Sequence, residues 1–245
     1  MRIFITGATA GIGRELAVDY AQAGVTLGLT GRRKEKLDEA AAACRAKGAV
    51  VHTYSVDVVD RAAMAGVVKD FLAAAGGADL VIANAGVTTN EKAALDVGDA
   101  GPIGDLLHTN VIGVVNTLVP FVPTMKAQKS GHLVGVASIA GFRALPLAAG
   151  YCASKAAVRM LMNGLGMDLK RYGIVCTSVN PGFIESEMTA KNTFAMPFFL
   201  STAEASRRIR RALARKRRAY TFPWQMAILV RVLGILPEFI VRRLR

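Results

Sequence analysis

Seven short β-forming runs recur along the chain at helix-length intervals, and this alternation constrains the fold more than any other feature. The runs are Arg2–Thr6, Thr26–Thr30, Val50–Ser55, Leu80–Ala83, His132–Ala137, Cys176–Asn180 and Arg218–Phe222. Helical patterns lie near Ile12–Gln22, Lys34–Lys47, Arg61–Ala75, Leu106–Met125 and Tyr151–Tyr172. Strands that alternate with helices build βαβ units, so the expectation is a doubly wound parallel sheet of about seven strands with helices on both faces. Leu80-Val81-Ile82-Ala83 is apolar at every position, as a strand covered on both sides should be. No Pro/Ser-rich linker or internal repeat interrupts the order. Residues 1–222 are therefore expected to form one α/β domain, followed by a tail over 223–245.

Charge narrows the choice of partners. The chain carries a net charge of +13, but residues 207–245 hold 12 Lys/Arg against one acid, while residues 1–206 hold 19 against 17. The body is nearly neutral and the C-terminal segment is the cation. Its arginines lack interleaved aromatic residues or a recognition module, which argues against nucleic acid. Cys44, Cys152 and Cys176 form neither a CxxC pair nor a Cys/His metal pattern, and His52, His108 and His132 are scattered. A reducing cytoplasm is the expected compartment, with no metal site. Neither a signal peptide nor a membrane span is expected, the longest uncharged stretch near the end being Ala219–Val230.

The turn after the first strand reads Thr6-Gly7-Ala8-Thr9-Ala10-Gly11-Ile12-Gly13. Glycine belongs where a backbone needs positive φ or must approach a diphosphate closely, and the following helix offers free N–H groups to that anion. The glycines stand at 7, 11 and 13, off the usual G-x-G-x-x-G spacing. At the end of the second strand an acid would bind ribose hydroxyls and repel a 2′-phosphate. Here the chain has Arg32-Arg33-Lys34, which points to NADP(H) over NAD(H).

Tyr151-Cys152-Ala153-Ser154-Lys155 places a phenol and an ammonium four residues apart on one helix face. The ammonium is expected to lower the phenol pKa toward useful acid/base chemistry. Taken together, these motifs resemble the short-chain dehydrogenase/reductase family in its compact form. The residues that carry the likeness are the Thr6–Gly13 turn, Asp57, Asn84-Ala85-Gly86, Asn110, Ser138, Tyr151, Lys155 and Pro181-Gly182, in the family's order over about residues 1–190. The resemblance implies a Rossmann-like fold and hydride transfer between NADP(H) and a carbonyl or secondary alcohol. It implies Tyr151 as general acid/base, Lys155 on the nicotinamide ribose, Ser138 on the substrate oxygen and Asn110 anchoring a water chain. It also implies Gly7, Thr9, Gly11, Ile12, Gly13, Arg32, Arg33, Asp57 and Val58 around the adenosine diphosphate half. Asn84, Ala85 and Gly86 lie on that same side by this reading, with Pro181, Gly182, Ile184 and Thr189 on the nicotinamide side.

From the same resemblance come a homodimer or homotetramer built on the helices near Leu106 and Tyr151, and a substrate loop over 183–201. That loop contains Phe194-Ala195-Met196-Pro197-Phe198-Phe199-Leu200, which could wall an apolar pocket for a ketone or alcohol or pack on a neighbour. Ser201-Thr202-Ala203-Glu204 reads as a capping box that opens a helix. Beyond it, Arg231, Glu238, Arg242 and Arg245 fall on one helical stripe, with a fresh start at Pro237. Residues 207–245 suit the inner surface of an anionic membrane, a partner subunit, or a cover for the active site. A catalytically silent dinucleotide-binding regulatory or scaffold protein is the alternative from another class; the intact Asn110/Ser138/Tyr151/Lys155 set argues against it.

Overall fold

A computed structural model describes residues 1–191 and 196–235. Phe194 and Ala195 of the loop, and Pro237, Glu238, Arg242 and Arg245 of the tail, lie outside the described residues. The strands are β1 (Arg2–Thr6), β2 (Thr26–Gly31), β3 (Val50–Ser55), β4 (Leu80–Ala83), β5 (Gly131–Val136), β6 (Ile174–Pro181) and β7 (Ala219–Phe222). All pair in parallel, in the order β3-β2-β1-β4-β5-β6-β7. This is the Rossmann-like α/β fold. The order reverses between β1 and β4, which opens a crevice at their carboxyl ends where such sheets bind ligands.

The continuous apolar strands work because alternate residues face opposite layers. Ile3 and Ile5 of β1, with Leu80 and Ile82 of β4, pack under α1 (Gly11–Tyr20), α2 (Lys34–Arg45) and α9 (Thr202–Ala214). Phe4, Val81 and Ala83 face the other layer. There α3 (Arg61–Ala75), α6 (Gly113–Leu118), α7 (Val122–Gln128) and α8 (Ala149–Leu169) cover the sheet. Phe4 meets Phe71 and Phe121 at ring-centroid distances of 5.2 and 5.0 Å.

Two short helices stand in the β4–β5 connection, α4 (Glu91–Val97) and α5 (Gly101–Leu107), where the sequence pattern predicts a helix only from Leu106. The helix expected over Leu106–Met125 is also broken into pieces. A π-turn spans His108–Ile112 and a 3₁₀ turn spans Val119–Phe121, where Pro120 can donate no backbone N–H. The run Gly101–Gln128 is 28 residues long and apolar enough to cross a membrane, against the expectation of no such segment. Its Leu118, Phe121 and Met125 are fully buried against the sheet, so core packing accounts for its composition.

Residues 207–245, singled out as one cationic stretch by their charge, are divided by β7, which stands where the seventh strand is expected. Helix α9 runs back from the carboxyl to the amino end of the sheet, and Arg215–Arg218 turn into β7 there. Strand β7 then returns the chain to the carboxyl end, where α10 (Trp224–Ile235) begins. The basic cluster and the apolar helix thus emerge at opposite ends of the sheet. Met226 and Val230 of α10 are buried with Ile139, so this helix joins the body beside the crevice.

Candidate active site

The glycine turn is built as its spacing requires. Gly7 and Gly11 have φ of +68° and +54°, in the left-handed region that side chains disfavour. Gly13 is forced by crowding, since a Cβ there would stand 2.3 Å from the Gly7 carbonyl oxygen. Ala10 precedes α1 and supplies no side-chain cap, which leaves the first N–H groups of the helix open to an anion. Asn84 underpins this turn: its Nδ2 donates to the carbonyls of Thr6 at 3.1 Å and Gly7 at 3.2 Å. The Thr6 hydroxyl accepts from the backbone N–H groups of Asn84 and Ala85 at 3.1 and 3.2 Å. A narrow glycine cradle under an uncapped helix start fits a dinucleotide diphosphate.

The basic cluster after β2 is ion-paired. Arg32 contacts Asp57 at 3.2 Å, Arg33 contacts Glu187 at 2.7 Å and Lys34 contacts Asp38 at 2.7 Å. Arg33 also donates to the Thr9 hydroxyl at 3.3 Å, which draws the β2 end and the glycine turn together. The Asp57 carboxylate accepts from the Val59 N–H at 3.2 Å, and the buried Val58 gives its carbonyl to Asn116 Nδ2 at 2.9 Å. Asp57 and Val58 therefore stand at the crevice with their backbone already braced.

The structure brings Asn110, Ser138, Tyr151 and Lys155 together. Asn110 sits in the π-turn, an irregularity common at functional sites, and is wholly buried. Its Oδ1 accepts from Val87 N–H at 2.7 Å, and its Nδ2 donates to Val87 O at 3.0 Å and Ser154 Oγ at 3.1 Å. Ser154 Oγ in turn donates to the Tyr151 carbonyl at 2.7 Å. Gly86 keeps this space open: a Cβ there would lie 3.1 Å from Asn110 Oδ1 and 3.3 Å from Lys155 Nζ. Lys155 Nζ donates to the Val136 carbonyl at 3.1 Å and lies 5.7 Å from the Tyr151 ring centroid.

The electrostatics correct one expectation. Burial pushes the Tyr151 phenol above its ordinary value, while the hydrogen bond from Ser138 opposes that rise. Loss of solvent dominates at the phenol, and it disfavours the neighbouring ammonium as well. Desolvation lowers Lys155 to about 8. Tyr151 is consequently a protonated phenol at neutral pH, suited to donating a proton.

Glu91 is a site residue that motif reading missed. It lies on α4 at 2% exposure, and its two carboxylate oxygens accept from the N–H groups of Gly150 and Tyr151, each at 2.8 Å. A carboxylate from a distant helix thus caps the start of α8, opposite the positive end of that helix's dipole. The Asn90-Glu91 pair could have signalled a helix start, since Asn90 caps Ala93 N–H at 3.2 Å. Its contact 59 residues further along had no local signal. Arg159 braces the same region by stacking 3.3 Å over the Phe142 ring and bonding the Gly141 carbonyl.

On the opposite wall, Pro181 ends β6 and Gly182 follows it, its N–H donating to Phe222 O at 2.8 Å. Ile184 is buried beside them. Thr189 turns its hydroxyl inward, donating to Ile184 O at 2.7 Å and accepting from Ser186 N–H at 3.0 Å, so it shapes the loop itself. A Cβ on Gly182 would meet Pro223 Cδ at 3.2 Å and Met226 Cγ at 3.6 Å, which sets α10 directly over this wall.

Comparison with known proteins agrees with this geometry. Residues 1–196 match the family model described as short chain dehydrogenase. An uncharacterised oxidoreductase of Myxococcus xanthus is 39% identical over 236 residues, covering 96% of this chain and 92% of that protein. An uncharacterised oxidoreductase of Mycobacterium tuberculosis is 32% identical, covering 99% and 96%. Among solved structures, a short chain dehydrogenase/reductase from Burkholderia phymatum in complex with NAD superposes with a TM-score of 0.85 at 26% identity, covering 94% and 91%. The chain is an oxidoreductase that belongs to the short-chain dehydrogenase family.

Proposed function

We propose that this oxidoreductase interconverts a carbonyl and a secondary alcohol on an apolar small molecule with NADP(H), using Tyr151 as the general acid/base. The observation that carries the reading is the convergence of Ser138, Tyr151, Lys155 and Asn110 on one wall of the crevice. The nicotinamide supplies or accepts the hydride when the cofactor is bound. Tyr151 Oη gives its proton to the carbonyl oxygen during reduction and takes it back in oxidation. Ser138 donates to that oxygen as negative charge grows there. Lys155 orients the ribose and keeps positive charge beside the phenol, and Asn110 braces the Tyr151 helix through Ser154. Apolar Leu145, Leu147, Phe198, Phe199 and Trp224 remain exposed on the segments bordering the crevice, which favours a greasy substrate. An NADPH-oxidation screen across ketones and aldehydes of graded chain length tests this, with kcat/KM expected to climb with length. A profile restricted to small polar carbonyls would overturn the apolar assignment.

Support for NADP(H) is the absence of an acid at the end of β2 and the presence of Arg32 and Arg33. Truncating Arg33 to Ala is expected to weaken NADPH about tenfold, near the value of one charge-assisted contact, and to leave NADH within about twofold. Fluorescence titration of both cofactors checks it; an equal loss for both would refute the assignment.

The pH dependence follows from Lys155. Its ammonium persists below about 8 and is lost above it, so kcat/KM for reduction is expected to fall on the alkaline side near that value. The unfolded chain holds the Lys155 proton up to about pH 10.4, so the folding penalty from this group is present below about 8 and relieved as pH rises between the two. A Lys155→Met variant should lose both features, measured by pH-rate profiles and thermal melts.

Oligomerisation through the α8 face is part of the same proposal. Val158 and Met162 point into the core, whereas Met160 and Met167 on that helix are 71% and 66% exposed. Light scattering is expected to give a homodimer or homotetramer, and Met160→Lys to shift it toward monomer. For residues 207–245, the seating of α10 over Gly182 favours a covering role near the crevice over docking on a membrane. Sedimentation of the whole chain with anionic and with neutral liposomes, at low and high salt, separates the two: charge-dependent co-sedimentation would favour the membrane. A reducing cytoplasm suits the three buried free thiols.

A further inference from the structure

The segment that follows β6 crosses the cofactor crevice and is pinned on its far side. Ser186 lies against the glycine turn, its Cβ 3.6 Å from where a side chain on Gly11 would start. The next residue, Glu187, accepts from Arg33 at 2.7 Å through one carboxylate oxygen and from Lys36 at 2.6 Å through the other. Both cations belong to the start of α2, in sequence more than 150 positions away. The segment holds a definite shape behind this contact: Thr189 closes it internally, and the Glu185 N–H bonds Leu200 O at 2.9 Å.

We propose that Glu187 is a specificity-determining residue, a built-in competitor that occupies the cations a 2′-phosphate must engage. The inference rests on the NADP(H) reading of Arg33. A monoanionic carboxylate satisfies Arg33 and Lys36 when no phosphate is present. A phosphate dianion placed on the same cations is repelled by Glu187 until the carboxylate leaves. A cofactor without the phosphate meets neither the repulsion nor the need to displace it. Glu187 therefore taxes NADP(H) selectively and moderates the preference that the arginines create. Each pair is substantially exposed, Glu187 at 56% and Arg33 at 43% of their side chains. The tax is accordingly modest, roughly five- to tenfold in affinity. Lys36 enters the site by this argument, although it stands outside the Arg32-Arg33-Lys34 cluster.

The test is fluorescence titration of the full-length Glu187→Gln variant with NADPH and with NADH at low and high salt. Glu187 is exposed, so the isosteric amide leaves the fold in place. NADPH binding is expected to tighten roughly five- to tenfold, NADH to stay within about twofold, and the gain to shrink at high salt. Unchanged NADPH affinity overturns the proposal, as does an equal gain for both cofactors, which would mean only that the segment had loosened. Arg33→Ala runs alongside it. Weaker NADPH binding in that variant with no response in Glu187→Gln leaves the NADP(H) reading standing and removes Glu187 from it. Full NADPH affinity in Arg33→Ala removes both.

Discussion

Tyr151→Phe is expected to lower kcat for carbonyl reduction by about a thousandfold while the NADPH dissociation constant stays within about twofold. The substitution deletes one oxygen and nothing else. The ring that lies 5.7 Å from Lys155 Nζ remains, and the backbone carbonyl that receives Ser154 is unaffected. No group of the glycine turn or the Arg33 cluster depends on the phenol. What disappears is the proton donor and the partner of Ser138. Steady-state kinetics and cofactor titration on the same preparation measure both halves of the expectation. Retained turnover would remove Tyr151 from the mechanism, and the silent dinucleotide-binding alternative would gain only if the unmodified chain turned over no carbonyl at all.

Glu91→Ala is expected to be the most damaging single truncation for stability near the site. The carboxylate is 2% exposed and accepts from two backbone N–H groups at 2.8 Å. Removing it strands both donors at a buried helix start, at a cost of about 3 kcal/mol once partial access of water to the vacated space is allowed. For a chain of this size that corresponds to a Tm lower by roughly 6–12 °C. Glu91→Gln keeps the shape and one good acceptor, so its Tm should fall about a third as far. Activity should drop with the melt, because Gly150 and Tyr151 are the residues whose N–H groups are held. Differential scanning calorimetry decides the matter, and an Ala variant that melts with the unmodified chain would show the cap to be dispensable.

These two residues mark how much of the site was legible beforehand. Tyr151 belongs to a local pattern: an i, i+4 spacing on one helix face is readable from adjacent letters, and so is a glycine turn after a short apolar strand. All seven strands were located for the same reason, with β2 and β6 extending a little further than their apolar letters. Glu91 belongs to no pattern, because the groups it caps are 59 and 60 positions away. The π-turn that carries Asn110 was hidden in an uninterrupted helical periodicity, since one extra residue in a turn leaves no compositional trace. Thr189 was assigned to the nicotinamide side by position, whereas its hydroxyl closes the loop on Ile184 and Ser186.

The direction of the Tyr151 shift shows the same division. Spacing predicted an ammonium near the phenol, and the ammonium is near it. Spacing carries no information about water, and burial moves both groups toward their neutral forms. In the basic cluster, Arg32 and Arg33 were legible as cations at the end of β2, but their partners Asp57 and Glu187 come from the ends of other strands.

By itself, then, the sequence determined the order of strands and helices, the glycine turn, the Tyr–Lys pair and the uneven placement of charge. Those depend on backbone sterics and on periodicities that act within a few residues. Tertiary structure alone decided which carboxylate caps α8, which one holds Arg33 and Lys36, how dry Tyr151 and Lys155 become, and that β7 sends the basic turn and the apolar α10 to opposite ends of the sheet. Those are consequences of strand order and burial, which set distances and dielectric between groups that the chain itself keeps far apart.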